Sequence, residues 1–221
     1  MSTATPLYLD AVLSMPLMDL PLRTTLLEHD GARVLLVPAS TLPEAEYRAL
    51  GPVTDIVAPN LFHLDGVPKA AVASPKARLW GPIGAKEKLP SVAWSGVLGR
   101  DPWPHEAGIA HIEMKGMPKF AENVFVDRAS RSLIAGDLVF HLTQPRGIGA
   151  WLVLNAFGTH GRFGASRLFF SMIKDRTAFL EATQRLLSHD FDAVVPAHGE
   201  RVEVGGKAKV EAALRERGLA I

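Results

Sequence analysis

Leu133-Ile134-Ala135-Gly136-Asp137-Leu138-Val139-Phe140 is an apolar run interrupted by one glycine and one aspartate. The run predicts a buried strand, and Gly136 gives the backbone the freedom to turn where that strand ends. The carboxylate of Asp137 is then expected at the mouth of the strand, where a buried charge requires local donors or a cation. We therefore interpret Asp137 as a candidate site residue.

Two further stretches place polar groups at the ends of predicted strands. His63 and Asp65 lie two residues apart after the apolar run 55–58, so an extended segment would point both side chains the same way. His198 lies in a tight loop between Pro196 and Gly199, after the predicted strand 192–195. The ends of three predicted strands thus carry two imidazoles and two carboxylates.

These groups are the ligands that zinc, iron and manganese accept where thiolates are absent, and the chain has no cysteine. Non-metal roles stay open for each residue. Backbone groups would satisfy a histidine at position 63, Asp65 before Gly66 would form an Asx-turn, and His198 would be a solvated loop histidine. The spacing alone does not decide between a metal site and these structural roles.

The rest of the chain alternates strands and helices. Residues 23–29 and 33–37 flank Asp30-Gly31, which predicts a tight β-hairpin. Thr41 to Glu44 reads as a capping box that starts a short helix ending near Leu50. Further strands are predicted at 79–80, 108–114, 123–126 and 132–135, a broken helix at 166–188 with Asp175 capping its second part, and a last helix at 207–217. Residues 68–104 are predicted to form short helices, the strand at 79–80 and a long irregular excursion, and residues 143–164 to form a loop. This order indicates a layered α/β fold.

Composition narrows the classes of protein that this chain can belong to. Its 221 residues suit one domain spanning 1–221, and 24 Lys and Arg against 23 Asp and Glu leave no field that would attract nucleic acid. The apolar stretch from Met1 to Leu20 contains Asp10 and Asp19, so it is a poor signal peptide. No run is long and apolar enough for a membrane span, and we expect a cytoplasmic location.

The chain resembles the metallo-β-lactamase superfamily in the order of these features. Residues 61–66 match the family's His-x-His-x-Asp-His loop through His63 and Asp65, residues 133–140 match its Gly-Asp strand, and residues 194–199 match its final histidine loop. The likeness runs from Arg23 to about Gly205. It implies a four-layer αββα sandwich with a metal site in the cleft where the sheet ends meet.

The match is incomplete at three ligand positions. Leu61 and Gly66 stand where the family carries the first and third histidines of the loop, and the later histidine falls near Lys119. The resemblance therefore implies a reduced site, with one divalent zinc, iron or manganese ion held by His63, Asp65, Asp137 and His198. Glu122 would be a further oxygen ligand or a surface residue, and Lys119 would alternatively replace the metal by pairing with Asp137 or Asp65.

Two functions follow as expectations. The first is a metal-dependent hydrolase of an ester, lactone, thioester or related bond in a small-molecule substrate, with Asp65 as the proton acceptor. The alternative is a metal-free binding or scaffold protein that keeps the fold. The sequence leaves open whether His141 or His160 reaches the cleft and whether the chain forms a homo-oligomer.

Overall fold

The computed structural model describes residues 5–145 and 147–221, whose strands form two main sheets and one short ladder. These strands are β1 (Leu7–Met15), β2 (Met18–His29), β3 (Ala32–Leu36), β4 (Asp55–Val57), β5 (Arg78–Gly81), β6 (Gly96–Val97), β7 (Ile109–Glu113), β8 (Asn123–Asp127), β9 (Ser132–Ala135), β10 (Phe140–His141), β11 (Phe163–Gly164) and β12 (Ala193–Pro196). The helices are α1 (Glu44–Ala49), α2 (Val67–Ala73), α3 (Ala85–Lys88), α4 (Ile148–Phe157), α5 (Arg167–Ser171), α6 (Arg176–Ser188) and α7 (Gly206–Glu216).

The first sheet has the strand order β1-β2-β3-β4-β5-β6. Its first three strands pair antiparallel, and β3 to β6 run parallel. The second sheet has the order β12-β9-β8-β7, in which β12 runs parallel to β9 and the other pairs are antiparallel. Because β9 and β12 run the same way, the residues that follow them emerge at one edge of the sheet.

Alternating side chains of the second sheet separate two apolar layers. Phe125, Ile134 and Val195 face a core shared with the first sheet and with α1 and α2. Val124, Leu133 and Val194 point the other way, into a second core formed with α5, α6 and α7. The molecule is therefore the four-layer αββα sandwich that the sequence predicted.

Local signals for turns and caps are confirmed in most places. Asp30 and Gly31 have φ angles of 46° and 77°, as a tight hairpin between β2 and β3 requires. Asp175 caps α6 by accepting a hydrogen bond from the Ala178 nitrogen. The capping box at Thr41 is wrong, because the N-cap of α1 is Pro43 and no side chain caps that helix.

Two elements next to the site were not expected. Residues 7–15 form β1, which pairs along its length with β2. Residues 148–157 form α4 inside the segment predicted as a loop from Thr143 to Gly164; Arg146 in that segment lies outside the described residues, as do residues 1–4 of the N-terminal stretch. Within the described ranges, every helix is too short or too polar to cross a bilayer.

Candidate metal centre

Three buried side chains converge where β4, β9 and β12 end. His63 Nε2 lies 2.9 Å from Asp137 Oδ2, and His198 Nε2 lies 3.3 Å from Asp137 Oδ1. One ligand atom from each residue lies within 4.8 Å of the others, and the two imidazole centroids are 5.2 Å apart. This arrangement gives two nitrogens and a carboxylate aimed at one volume.

Asp65, the fourth predicted ligand, does not join this group. Its side chain is exposed in the turn before α2, although it lines the same cavity as the three converging residues. The structure therefore brings together His63, Asp137 and His198 and leaves Asp65 on the cavity wall. That position suits a group that acts on a bound molecule better than one that shares a cation with the other three.

A buried carboxylate holds the Asp137 loop in place. Glu122 Oε1 accepts hydrogen bonds from the backbone nitrogens of Asp137 (2.9 Å) and Leu138 (3.3 Å). The amide of Asn60 donates to Glu122 Oε2 at 2.6 Å and to Asp137 Oδ2 at 2.8 Å. Gly136 permits this contact, because a Cβ there would lie 2.9 Å from the Asn60 amide. Asn60 and Glu122 thus orient the Asp137 carboxylate.

Glu122 is neither a surface residue nor a member of the converging group, contrary to both predictions made for it. The side chain is completely buried, and both its oxygens are used by the Asp137 loop and Asn60. Burial, together with the negative charge of Asp137, raises the pKa of Glu122 to about 8 despite these hydrogen bonds. Its contribution is to the position of Asp137.

Asp137 itself is strongly biased toward the charged form. Burial alone would raise the pKa of Asp137, but when the Nε2 atoms of both imidazoles carry protons, the charge of His63 and the hydrogen bonds from both rings hold it well below its ordinary range. Asp137 therefore presents a carboxylate, which is the form that a cation binds.

The imidazole of His198 is fixed on three sides. Its Nδ1 lies 2.7 Å from the carbonyl oxygen of Pro21 in β2, and the ring of Phe140 stacks on it at 5.4 Å with an interplanar angle of 7°. Gly199 has a φ angle of 101°, and a Cβ there would lie 2.0 Å from the His141 carbonyl oxygen. Only glycine lets the loop turn there and aim the ring inward.

The missing family histidines have structural reasons. A Cβ on Gly66 would lie 1.9 Å from the carbonyl oxygen of Pro38, so no imidazole fits at that position. Leu61 is half-buried and packs against the core shared by the sheets. Lys119 is exposed, and within the described ranges it forms no ion pair with Asp137 or Asp65, so it does not replace a metal in the way the sequence suggested.

The two other histidines considered from sequence lie outside this cavity. His141 Nδ1 contacts the carbonyl oxygen of Glu200, and its side chain lines a separate cavity beside β2. His160 is half-buried and bridges to Leu142. Neither residue lines the cavity that contains His63 and His198.

The converging group lies at the polar end of an apolar cavity of about 340 Å³. One wall comes from β1 and β2, including Leu13, Met15 and Met18. The opposite wall comes from α4 and α5, including Phe157 and Phe169. Part of these walls comes from the two elements that the sequence did not predict, β1 through Leu13 and Met15 and α4 through Val153, Leu154 and Phe157.

Searches against known proteins give a match in structure alone. No protein-family model matches the chain, and no curated protein does. A metallo-β-lactamase from Pontibacter korlensis superposes with a TM-score of 0.64 at 14% identity, covering 97% of both chains. A metallo-β-lactamase from Hirschia baltica gives 0.61 at 12% identity, covering 95% of this chain and 91% of that one. The metal-soaked Flv1 flavodiiron core from Synechocystis sp. PCC6803 gives 0.64 at 11%, covering 95% and 58%.

These likenesses define the fold. The chain has the metallo-β-lactamase fold, in agreement with the resemblance of its Gly-Asp strand and final histidine loop. The identities are too low to carry over a reaction or a ligand set. A buried His-Asp-His group in a fold whose members include metal-binding proteins is consistent with a metal site.

Proposed function

We propose that this protein is a metal-dependent hydrolase of small-molecule esters, lactones, thioesters or related compounds, with one divalent ion held by His63, Asp137 and His198. The observation that carries the proposal is the convergence of these three buried side chains at the polar end of an otherwise apolar cavity. Two histidines and one carboxylate form a ligand set found in catalytic zinc sites, where the remaining position takes water or substrate.

The donor chemistry of His198 supports a cation at this point. A carbonyl oxygen can only accept a hydrogen bond, so the contact with Pro21 places the ring proton on Nδ1. A neutral ring then turns the lone pair of Nε2 toward the Asp137 carboxylate, 3.3 Å away. Two acceptors face each other favourably only when a cation lies between them or the ring takes up a second proton.

The spacing of the donor atoms agrees with this interpretation. Ligands about 2.1 Å from a tetrahedral ion lie roughly 3.4 Å from each other. His63 Nε2 is 2.9 Å from one oxygen of Asp137 and His198 Nε2 is 3.3 Å from the other, and one ligand atom from each residue lies within 4.8 Å of the others. Small side-chain adjustments would therefore admit an ion without moving the strands.

Each residue has a defined task in such a reaction. A divalent ion would polarise the carbonyl or phosphoryl oxygen of a bound substrate and lower the pKa of a water molecule. The apolar walls would exclude bulk water from the reacting bond and bind the apolar part of the substrate. Asp65, exposed on the same cavity, would accept a proton during attack. Glu122 and Asn60 would keep the Asp137 carboxylate in position.

The second candidate is a metal-free protein that binds a small molecule in the same cavity. The absent family histidines at Leu61 and Gly66 favour it. In that case His198 would be an imidazolium paired with Asp137, and the apolar cavity would hold a ligand without chemistry.

Hydrolysis of a panel of 4-nitrophenyl esters, lactones and acyl thioesters separates the two candidates. We expect turnover that a chelator removes and that added zinc, iron(II) or manganese restores. His198→Ala and Asp137→Ala should abolish it, whereas His189→Ala, at the end of α6 and outside the cavity, should retain it. Turnover that survives both site substitutions would assign the reaction to other residues and reject the proposal.

A further inference from the structure

The apolar cavity continues into a depression that carries positive charge. Phe62 and Met172 line both spaces. The remaining residues of the depression are Lys119, Ser171 and Lys174. Because two side chains belong to both surfaces, a ligand whose apolar part fills the cavity would emerge past them toward the two lysines.

Phe62 is the residue around which these charges gather. Its ring is 54% exposed and stacks on Phe120 at 4.6 Å with an interplanar angle of 27°. The ammonium of Lys88 lies 4.6 Å from the centroid of the same ring, held there by the carbonyl oxygen of Leu61. Lys88 therefore places a third cation against Phe62, although it does not itself line the depression.

These ammonium groups have no carboxylate of their own. Across the described residues, the ion pairs involve arginine and histidine only, so Lys88, Lys119 and Lys174 are unpaired like the other lysines and differ from them in lying beside an apolar opening. The carboxylate of Asp175, next in sequence to Lys174, accepts a hydrogen bond from the Ala178 nitrogen as the cap of α6. Exposed cations beside an apolar opening leave an unmatched charge for a ligand to meet.

The acidic groups Asp65 and Asp137 line the cavity and not the depression in which Lys119 and Lys174 lie. Asp137 is paired with His63 and His198, and Asp65 is on the wall near them. A ligand that enters with its apolar part first would therefore have its anionic group at the lysines. In the reverse orientation, the anionic group of the ligand would face the carboxylate of Asp65, and the lysines would have no negative charge beside them.

We infer that the substrate is an amphiphilic anion, whose alkyl or aryl part occupies the cavity and whose carboxylate, sulfate or phosphate lies at Lys119 and Lys174. This inference deepens the proposed hydrolase function and rests on it for the reaction, although the binding can be measured separately. The scissile bond would lie within the part that reaches His63 and His198, away from the anionic end.

Calorimetric titration of the full chain with sodium decanoate and with 1-decanol tests the inference. Decanoate should bind about tenfold or more tightly than the alcohol, and its affinity should fall as salt rises. The double variant Lys119→Ala/Lys174→Ala should lose this preference while its affinity for decanol stays the same. The matched control Lys76→Ala/Lys209→Ala removes two exposed lysines elsewhere and should behave as the parent protein.

The titration is repeated with chelator present, because a metal ion would itself attract a carboxylate. A preference for decanoate that persists without metal and disappears in the lysine variant supports the inference, whether or not hydrolysis is ever found. Equal binding of the two compounds, a preference that only added metal creates, or a preference retained by the lysine variant would overturn it. If one of these outcomes overturns the inference but turnover depends on metal, the hydrolase proposal is still supported.

Discussion

The backbone nitrogen of Asp137 donates a hydrogen bond to Glu122 Oε1 across 2.9 Å, joining a candidate ligand to a carboxylate that is completely buried. Glu122→Ala would leave the backbone nitrogens of Asp137 and Leu138 unpaired in the interior. We expect a loss of about 3–5 kcal/mol in the free energy of unfolding, and metal binding weakened by about 10–100-fold. Thermal unfolding and a metal competition titration measure the two effects.

Two further variants serve as comparisons for Glu122→Ala, one that replaces the carboxyl group by an amide and one that removes a glutamate elsewhere. Glu122→Gln keeps an oxygen for both backbone nitrogens but turns an amide group toward Asn60, so an intermediate loss is expected. Glu203→Ala removes an exposed glutamate and should change neither quantity by more than about 0.5 kcal/mol. Unchanged metal affinity in Glu122→Ala would show that Asp137 keeps its position without this contact.

Asp65 gives a test that distinguishes a proton acceptor from a ligand. Because its exposed side chain lies outside the converging group, Asp65→Asn should leave the metal content per chain unchanged. Turnover should fall by about 10²–10⁴-fold if the carboxylate accepts a proton. Elemental analysis and ester hydrolysis on the same sample provide both numbers, and a loss of metal in Asp65→Asn would return this residue to the ligand set.

Gly66 stands where the family's loop carries its third histidine, yet restoring that residue should not build a second metal site. The clash of a Cβ with the Pro38 carbonyl oxygen at 1.9 Å is a backbone contact that rotamers cannot relieve. Gly66→His should therefore destabilise the fold by about 4 kcal/mol or more and should not increase metal stoichiometry. Val72→His, on the exposed face of α2, is the matched control. A stable Gly66→His protein that binds a second ion would contradict this account.

Tyr47 gives the fold a dependence on alkaline pH. Burial raises the pKa of Tyr47 to about 12, and the phenol donates a hydrogen bond to the Ala39 carbonyl oxygen. The unfolded phenol ionises near pH 10, so its stabilising contribution is complete below pH 10 and is lost as pH rises through 12. The free energy of unfolding should fall by up to about 3 kcal/mol across this window.

Tyr47→Phe removes the titrating hydroxyl group, and the variant is compared with the parent protein at each pH. The variant should be less stable by about 1 kcal/mol at pH 7, because the hydrogen bond to Ala39 is lost. The difference between the two proteins should shrink above pH 10 and reverse in sign by about pH 12, because only the parent protein loses the phenol's contribution. Parallel denaturant curves at each pH measure it, and a constant difference up to pH 12 would exclude this role for Tyr47.

The elements that sequence predicted well are those with strong local signals. Asp30-Gly31 specifies a hairpin by its positive φ angles, and Asp175 specifies a helix start through its own side chain. The strand before Gly136-Asp137 reads as buried because it is apolar on both faces. The layered architecture then follows from the order of such elements together with the family likeness.

The elements that were missed lack these signals. β1 is an edge strand with several exposed residues, and the apolar stretch that contains it was weighed only as a signal peptide and not as a strand that pairs with β2. α4 is apolar around most of its circumference, so no helical stripe distinguishes it from a loop. Each element contributes residues to the cavity wall, Leu13 and Met15 from β1 and Val153, Leu154 and Phe157 from α4.

The same distinction, between residues with and without a local sequence signal, explains which residues of the candidate site could be predicted. His63, Asp137 and His198 each follow a predicted strand, and the resemblance to the metallo-β-lactamase superfamily implied that they would meet. Asn60 and Glu122 could not be assigned, because their importance comes from contacts across 62 and 77 residues. The Pro59-Asn60 break after β4 was the only local signal near them.

The metal content of the full-length protein, purified without chelator or affinity metal, tests the central claim most directly. Elemental analysis should find close to one zinc, iron or manganese ion per chain, and His198→Ala should remove it while the protein stays folded. A metal-free parent protein that remains empty after incubation with each of the three ions would contradict the assignment of His63, Asp137 and His198 as a metal site.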